Sequence, residues 1–184
     1  MTISTRPAAL LGGLLTSVVL TTASAAMAAT APDGYRSAAF GMSAEEVGAR
    51  LEGDGVVRVS QERSAEGDLV IDGQLQAEDE PATDLRYVFP GGEDRLALVV
   101  AFHPEVDDRD EVMQRLAASH GEPWPDEMAE WWYEQLKDGM PETPHSLEVW
   151  GGDDGQRSRF VRLWTFDDYL SVEYLDTRLF PAGP

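Results

Sequence analysis

Cysteine is absent from all 184 residues, and lysine occurs once, at Lys137. Without cysteine there is no disulfide framework, no thiol nucleophile, no Cys-ligated zinc or iron–sulfur cluster and no acylated-cysteine anchor. Basic residues are scarce as a class: 14 Lys and Arg stand against 34 Asp and Glu, for a formal charge of −20. That sign argues against nucleic acid, whose phosphates need a basic surface, and against anionic lipid headgroups. Past the N-terminal region no apolar run approaches the ~20 residues of a membrane-spanning helix.

Catalytic motifs are missing too. There is no G-x-S-x-G elbow and no H-E-x-x-H pair. The three histidines stand in unrelated contexts: His103 ends the strongest apolar run, His120 closes an expected helix and His145 lies in a loop with prolines. A helix C-terminus favours His120 through the macrodipole alone. Asp107-Asp108-Arg109-Asp110-Glu111 lacks the D-x-D-x-D-G order of a calcium loop, and Asp153-Asp154-Gly155 reads as turn chemistry. Among so many acids, a hydrolase's carboxylate pair cannot be singled out by spacing. No catalytic residue, metal ligand or cofactor-binding residue is nominated, and the chain reads as a non-enzyme.

What is present begins with a leader. Arg6 supplies a short positive region, Ala8 to Leu20 is apolar or small, and Ala26-Met27-Ala28 fits an A-x-A cleavage site, with Ala23-Ser24-Ala25 as an earlier alternative. Residues 1–28 are therefore expected to be a secretory signal peptide, too short in its apolar part to serve as a membrane anchor. The product would be periplasmic or secreted and soluble, starting near Ala29. Losing Arg6 takes its formal charge from −20 to −21. Acid surplus with almost no lysine has two readings: solubility in a salty habitat, or an acidic face for a basic partner.

Residues 29–39 read as a flexible lead-in. Ser43-Ala44-Glu45-Glu46 has capping-box spacing, so a short amphipathic helix is expected over 44–52, with Ala44, Val47 and Leu51 inward. Alternation then gives strands around Val57 and Val59, and around Leu69, Ile71 and Leu75, with Gly73 suggesting a bulge. Leu85, Tyr87 and Phe89 form a third run. In the fourth, Leu96, Leu98, Val100 and Phe102 share one face with Ala97 and Ala101 behind; as the most apolar run it should be a central strand. A second helix is expected from Asp107 to Gly121, with Val112, Met113, Leu116 and Ala117 inward and Asp108–Glu111 repeating the cap spacing. A third should run from Pro125 to Lys137, with Met128, Trp131, Trp132 and Leu136 inward. Strands over 147–150, 160–166 and 170–175 follow, then a tail over 177–184. The expected class is α+β: antiparallel β-meanders with helices packed on one face. Residues 40–176 form one domain, divisible into helix–meander halves at 40–103 and 107–176.

Phe40-Gly41-Met42-Ser43-Ala44-Glu45-Glu46-Val47, with Leu51 following, resembles the G-M-[ST]-x-x-E-V-x-x-x-L opening of small bacterial envelope proteins. These are related in fold to the outer-membrane-assembly lipoprotein BamE and to the β-lactamase inhibitor protein. Val112 to Pro123 is similar to the V-x-x-x-L-x-x-x-[YH]-G-x-P helix exit of uncharacterised relatives, in which a strand bearing a tryptophan, here Trp150, comes next. The resemblance implies helix–meander architecture and protein binding rather than catalysis. Unlike the lipoprotein members, this chain has no lipobox cysteine.

Aromatic density carries the one unusual local signal. Trp124, Trp131, Trp132 and Tyr133 fall within ten positions and hold three of the five tryptophans. Successive helical residues point about 100° apart, so one face cannot bury Trp131, Trp132 and Tyr133 equally. These four residues are the candidate partner-binding site, because an apolar anchor interleaved with Asp126, Glu127 and Glu130 has the anatomy of a recognition patch. The competing reading is a lid whose rings close the core. The expected function is an exported protein-binding or envelope-associated module; the alternatives are an inhibitor of a basic secreted enzyme and a cell-envelope hydrolase. No motif encodes the oligomeric state. N-terminal sequencing of the exported protein should begin at or near Ala29, and an intact Met1 would remove the case for a cleaved leader.

Overall fold

Strong local signals put the secondary structure close to where periodicity placed it. The computed structural model describes residues 31–76, 82–91, 93–152 and 158–181. The expected leader, the Asp153-Asp154-Gly155 turn and the end of the tail lie outside them. Helix α1 spans Ala44–Leu51, and Ser43 and Glu46 close the capping box in both directions: Glu46 N–H donates to Ser43 Oγ at 3.2 Å and Ser43 N–H to Glu46 Oε2 at 2.9 Å. The preceding Phe40-Gly41-Met42 segment zips onto Leu96, with Gly41 N–H donating to Leu96 O (2.9 Å) and Leu96 N–H to Met42 O (2.8 Å). Gly41 sits at φ +87°, a conformation that a side chain would strain.

The segment expected as a flexible lead-in contains a ribbon instead. Strands β1 (Gly34–Tyr35) and β2 (Ala38–Ala39) pair antiparallel, and Ala38 is fully buried. The reason is tertiary: Tyr35 and Phe40 pack on the main core. Seven further strands make one sheet. They are β3 (Val56–Arg63), β4 (Leu69–Leu75), β5 (Thr83–Phe89), β6 (Leu98–His103), β7 (Ser146–Gly151), β8 (Arg159–Thr165) and β9 (Leu170–Asp176). Their order is β3-β4-β5-β6-β9-β8-β7, every neighbouring pair antiparallel, so β6 is the central strand. The architecture is α+β, two meanders meeting at their last strands.

The bulge lies opposite Gly73 rather than in its strand. Val57 pairs with Gln74 and Ser60 with Asp72, so Arg58 and Val59 together face Gly73, and Arg58 adopts φ +54°. A Cβ on Gly73 would lie 2.5 Å from Val56 Cγ1, which explains the glycine. The bulge also turns β3 over: Val56 is buried, while the expected inward residues Val57 and Val59 are exposed on this edge strand.

Helix α2 (Arg109–His120) follows a short 3-10 turn at Val106–Asp108, and Gly121 ends it at φ +83°. Asp108 makes no side-chain cap here, because the chain enters α2 already coiled rather than extended. Helix α3 (Asp126–Leu136) begins after Pro125. The main core joins Val47 and Leu51 of α1 and Val112 and Leu116 of α2 to Ile71, Leu85, Tyr87, Val99, Ala101, Trp150, Leu163 and Val172 of the sheet. A second cluster, Leu147, Val149, Trp164 and Phe166, collects under α3. Side chains alternate along a strand, so Val149 and Trp150 occupy opposite faces. The single helix-covered face expected from the sequence therefore describes α1 and α2, whereas α3 covers the β7–β8 end of the other face.

In β6 the inward residues are Val99 and Ala101, not the larger Leu98, Val100 and Phe102. The small pair leaves room for α2, and the large ones face the opposite side of the sheet. At the C-terminal end, Asp176 is only 1% exposed. It accepts from Arg178 N (3.1 Å), Arg178 Nη2 (2.7 Å) and Arg159 Nε (3.0 Å). Arg159 also meets the Asp33 carboxylate and the Phe40 ring, tying the first described turn to the last strand. Burial alone would raise the Asp176 pKa, but the hydrogen bonds from Arg178 and Arg159 outweigh it and hold it at about 2, below the usual 3.8. A depressed carboxylate contributes stability above its unfolded pKa and loses it as pH falls toward the folded value. Asp176→Asn should cost about 2 kcal/mol at neutral pH. The gap between mutant and parent urea midpoints should narrow from about pH 4 to about pH 2; parallel curves would contradict this account.

Candidate functional site

Two prolines bracket Trp124, and acids then occupy the first turn of α3, where the helix dipole favours them. Trp124 straps this entry to the sheet edge: its backbone N–H donates to Val149 O (2.8 Å) and its indole Nε1 to Gly151 O (2.9 Å). Edge strand β7 is thus partly covered by the α2–α3 connection, and Trp150 Nε1 donates back to Gly121 O at 3.1 Å.

The inward stripe of α3 is Ala129, Trp132, Tyr133 and Leu136, and this replaces the expected stripe of Met128, Trp131, Trp132 and Leu136. Buried Ala129 lets the helix approach β7. Trp132, Tyr133 and Leu136 are half-buried on the second cluster, and Tyr133 Oη donates to Pro144 O at 2.7 Å. Met128 and Trp131 are left outside, 47% and 59% exposed. They stand three residues apart on one helical face, with Glu127, Glu130 and Glu134 exposed around them. The rings form a chain from surface to interior: Trp131 meets Trp132 edge to face at 5.4 Å, Trp132 meets Trp124 at 6.4 Å, and Trp124 meets Phe160 edge to face at 5.7 Å. Of the four nominated residues, Trp124, Trp132 and Tyr133 are the support, and Trp131 is the one at the surface. The period of 129, 132, 133 and 136 is legible in the sequence, but side-chain bulk favours Met128 and Trp131 over Ala129 for the inward positions.

Under the helix, a cavity of about 40 Å³ among Trp124, Trp132, Leu136 and Val149 is too small for a ligand. Beside it, a groove of about 570 Å³ runs along β7 between α2 and α3. In this groove Arg109 pairs with Glu148 and donates from Nε to Thr165 Oγ1 at 3.3 Å. His145 Nε2 lies 2.5 Å from Asp167 Oδ1, both well exposed. The neighbouring Ser146 Oγ is turned to Glu148 Oε1 (3.2 Å) and Thr165 Oγ1 (3.1 Å), so serine and histidine do not form a nucleophile–base pair. Among the described residues, no three His, Asp or Glu side chains converge to hold a metal ion, and no helix is long and apolar enough to cross a membrane.

No protein-family model, no curated protein and no solved structure matches the chain. Its function therefore rests on its own geometry. Trp131→Ala should change stability by about 1 kcal/mol or less, as for an exposed side chain. Trp132→Ala, opening the cluster beneath α3, should cost about 3 kcal/mol. Urea denaturation of the two variants checks this, and equal losses would place both rings in the core.

Proposed function

We propose that the chain is an exported, non-enzymatic binding module that docks a basic protein partner on the outer ridge of α3. One observation carries the reading: Trp131, 59% exposed, projects from a helix whose other side packs on the sheet. Tryptophan is strongly favoured at the centre of binding surfaces, and Met128 beside it adds an adaptable apolar contact. The acids at 127 and 130 supply a rim that attracts a cationic partner and orients its approach, while Glu134 is already paired with Lys137. The leader-like residues 1–28 and the resemblance of 40–51 to bacterial envelope proteins support an envelope or extracellular setting. Inhibition of a basic secreted enzyme is one form this binding could take. The hydrolase alternative has no specific observation in its favour.

Immobilised full-length protein should retain a basic protein from periplasmic or culture-medium extract at low salt and release it at high salt. Affinity for that isolated partner should fall by about 2 kcal/mol or more on Trp131→Ala, and by less on Glu130→Gln. Capture unaffected by Trp131→Ala would reject the α3 ridge as the docking surface.

A further inference from the structure

Across the sheet from α3, cationic groups of this acidic chain gather around one cavity. It has a volume of about 200 Å³ and opens between α2, the β1–β2 turn and the middle of the sheet. The floor is aliphatic, with Ala101 of β6 directly paired to Val172 of β9. Arg36 from the turn and Arg115 from α2 stand in the wall with the rings of Tyr35 and Tyr174 and two of the three histidines. Among the described residues no Asp or Glu lines it, although acids outnumber basic residues 34 to 14 in the chain.

The arrangement is held in place by its surroundings. Arg36 adopts φ +52°, a left-handed conformation that is unfavourable for a residue with a side chain. The turn persists because Asp54 Oδ2 accepts from Ser37 N (3.1 Å) and Ser37 Oγ (2.8 Å), while Arg50 Nη1 donates to Ser37 O at 3.0 Å. Such local strain, paid for elsewhere, is common where a side chain has a task. The Arg36 guanidinium stands 5.9 Å from the Tyr35 ring centroid, and the Tyr35 and Tyr174 rings pack at 4.9 Å. Burial pushes the Tyr174 hydroxyl pKa up while Arg115 and Arg36 draw it down, so both guanidinium groups are felt at one point in the wall. Arg115 is engaged only loosely, 3.8 Å from Glu111 on its own helix. An exposed pair of this kind holds the guanidinium more weakly than a carboxylate or phosphate seated on it would.

We propose that this cavity binds a small organic anion, its apolar body on the Ala101–Val172 floor and its carboxylate or phosphate held by Arg36 and Arg115. The volume lies below the ~300–1,000 Å³ of sites for drug-sized molecules, which fits a compact ligand. The site lies on the opposite face from the α3 ridge, so either can fail without the other.

The test is an NMR titration of the full chain with sodium benzoate, with benzamide as the neutral isostere and inorganic phosphate as the anion without an apolar body. Benzoate should produce saturable amide shifts at Ala101, Ser119 and Val172, and benzamide should bind at least about tenfold more weakly. Arg115→Gln and Arg36→Asn, the latter chosen because asparagine tolerates positive φ, should each weaken benzoate about tenfold. Glu111→Gln, which frees Arg115 and leaves the cavity wall intact, should tighten it. Three results would overturn the proposal: no saturable shift around the cavity below about 10 mM, equal binding of benzamide, or indifference to all three substitutions. Tighter binding of phosphate than of benzoate would overturn the organic-body part of the assignment.

Discussion

Pairing of β6 with β9, from Leu98 opposite Leu175 to His103 opposite Leu170, joins two meanders that are distant in sequence. Each meander could form from local hairpins, but neither could bury both faces of its last strand alone. Closing the long connection between His103 and Leu170 costs only logarithmically more entropy than a short one. Burial of Val99, Ala101 and Val172 under α1 and α2 offsets that cost. Register matters as much as contact. A one-residue slip would send these side chains to the far face and bring Val100 and Glu173 into the main core. The floor of the cationic cavity, the site of Trp164 and the docking of α3 all follow from this one alignment.

Part of the scarce basic complement neutralises carboxylates on the sheet. Asp176 is neutralised by Arg159 and Arg178, and the Arg86 Nε and Nη2 groups grip Asp72 at 2.8 and 3.1 Å on the sheet's far face. Glu173, 8% exposed, accepts from Trp164 Nε1 at 2.9 Å with Arg162 Nε 2.7 Å away. Arginine suits this work because its planar fork presents several donors to one carboxylate, which an ammonium group does not. Acids still outnumber basic residues 34 to 14, so the chain remains strongly acidic. The α3 ridge and the cationic cavity are then opposite exceptions: an apolar patch within that acidic surface, and a positive hollow beneath it.

The sheet also keeps these two surfaces independent. Residues along β9 alternate between them, Val172 and Tyr174 toward the cavity and Ser171 and Glu173 toward the other face. Helix α3 contributes nothing to the cavity wall, and α2 contributes nothing to the Trp131 ridge. One side of the molecule carries a protruding tryptophan; the other carries an open hollow with an aliphatic floor and arginines in its wall.

Short-range physics in the sequence determined the element positions. The Ser43–Glu46 box, Gly121 at the end of α2 and the apolar density of β6 each act within a few residues and do their expected work, while Pro125 starts α3 from the N-cap rather than from the expected first helical position. Periodicity also implied that the aromatic segment could not bury every ring. It could not say which ring stays out, because the choice of Trp132 over Trp131 depends on a neighbouring strand that small Ala129 allows to come close. The same limit governs β6, where a strand buried on both sides gives no local clue to which face meets the helices. The β1–β2 ribbon is held by packing on partners more than fifty residues away, such as Tyr174. Arg36, Arg115 and Tyr174 have no sequence relation at all. They meet only because the sheet brings β9, α2 and the first hairpin to one face, and that convergence is a property of the tertiary structure.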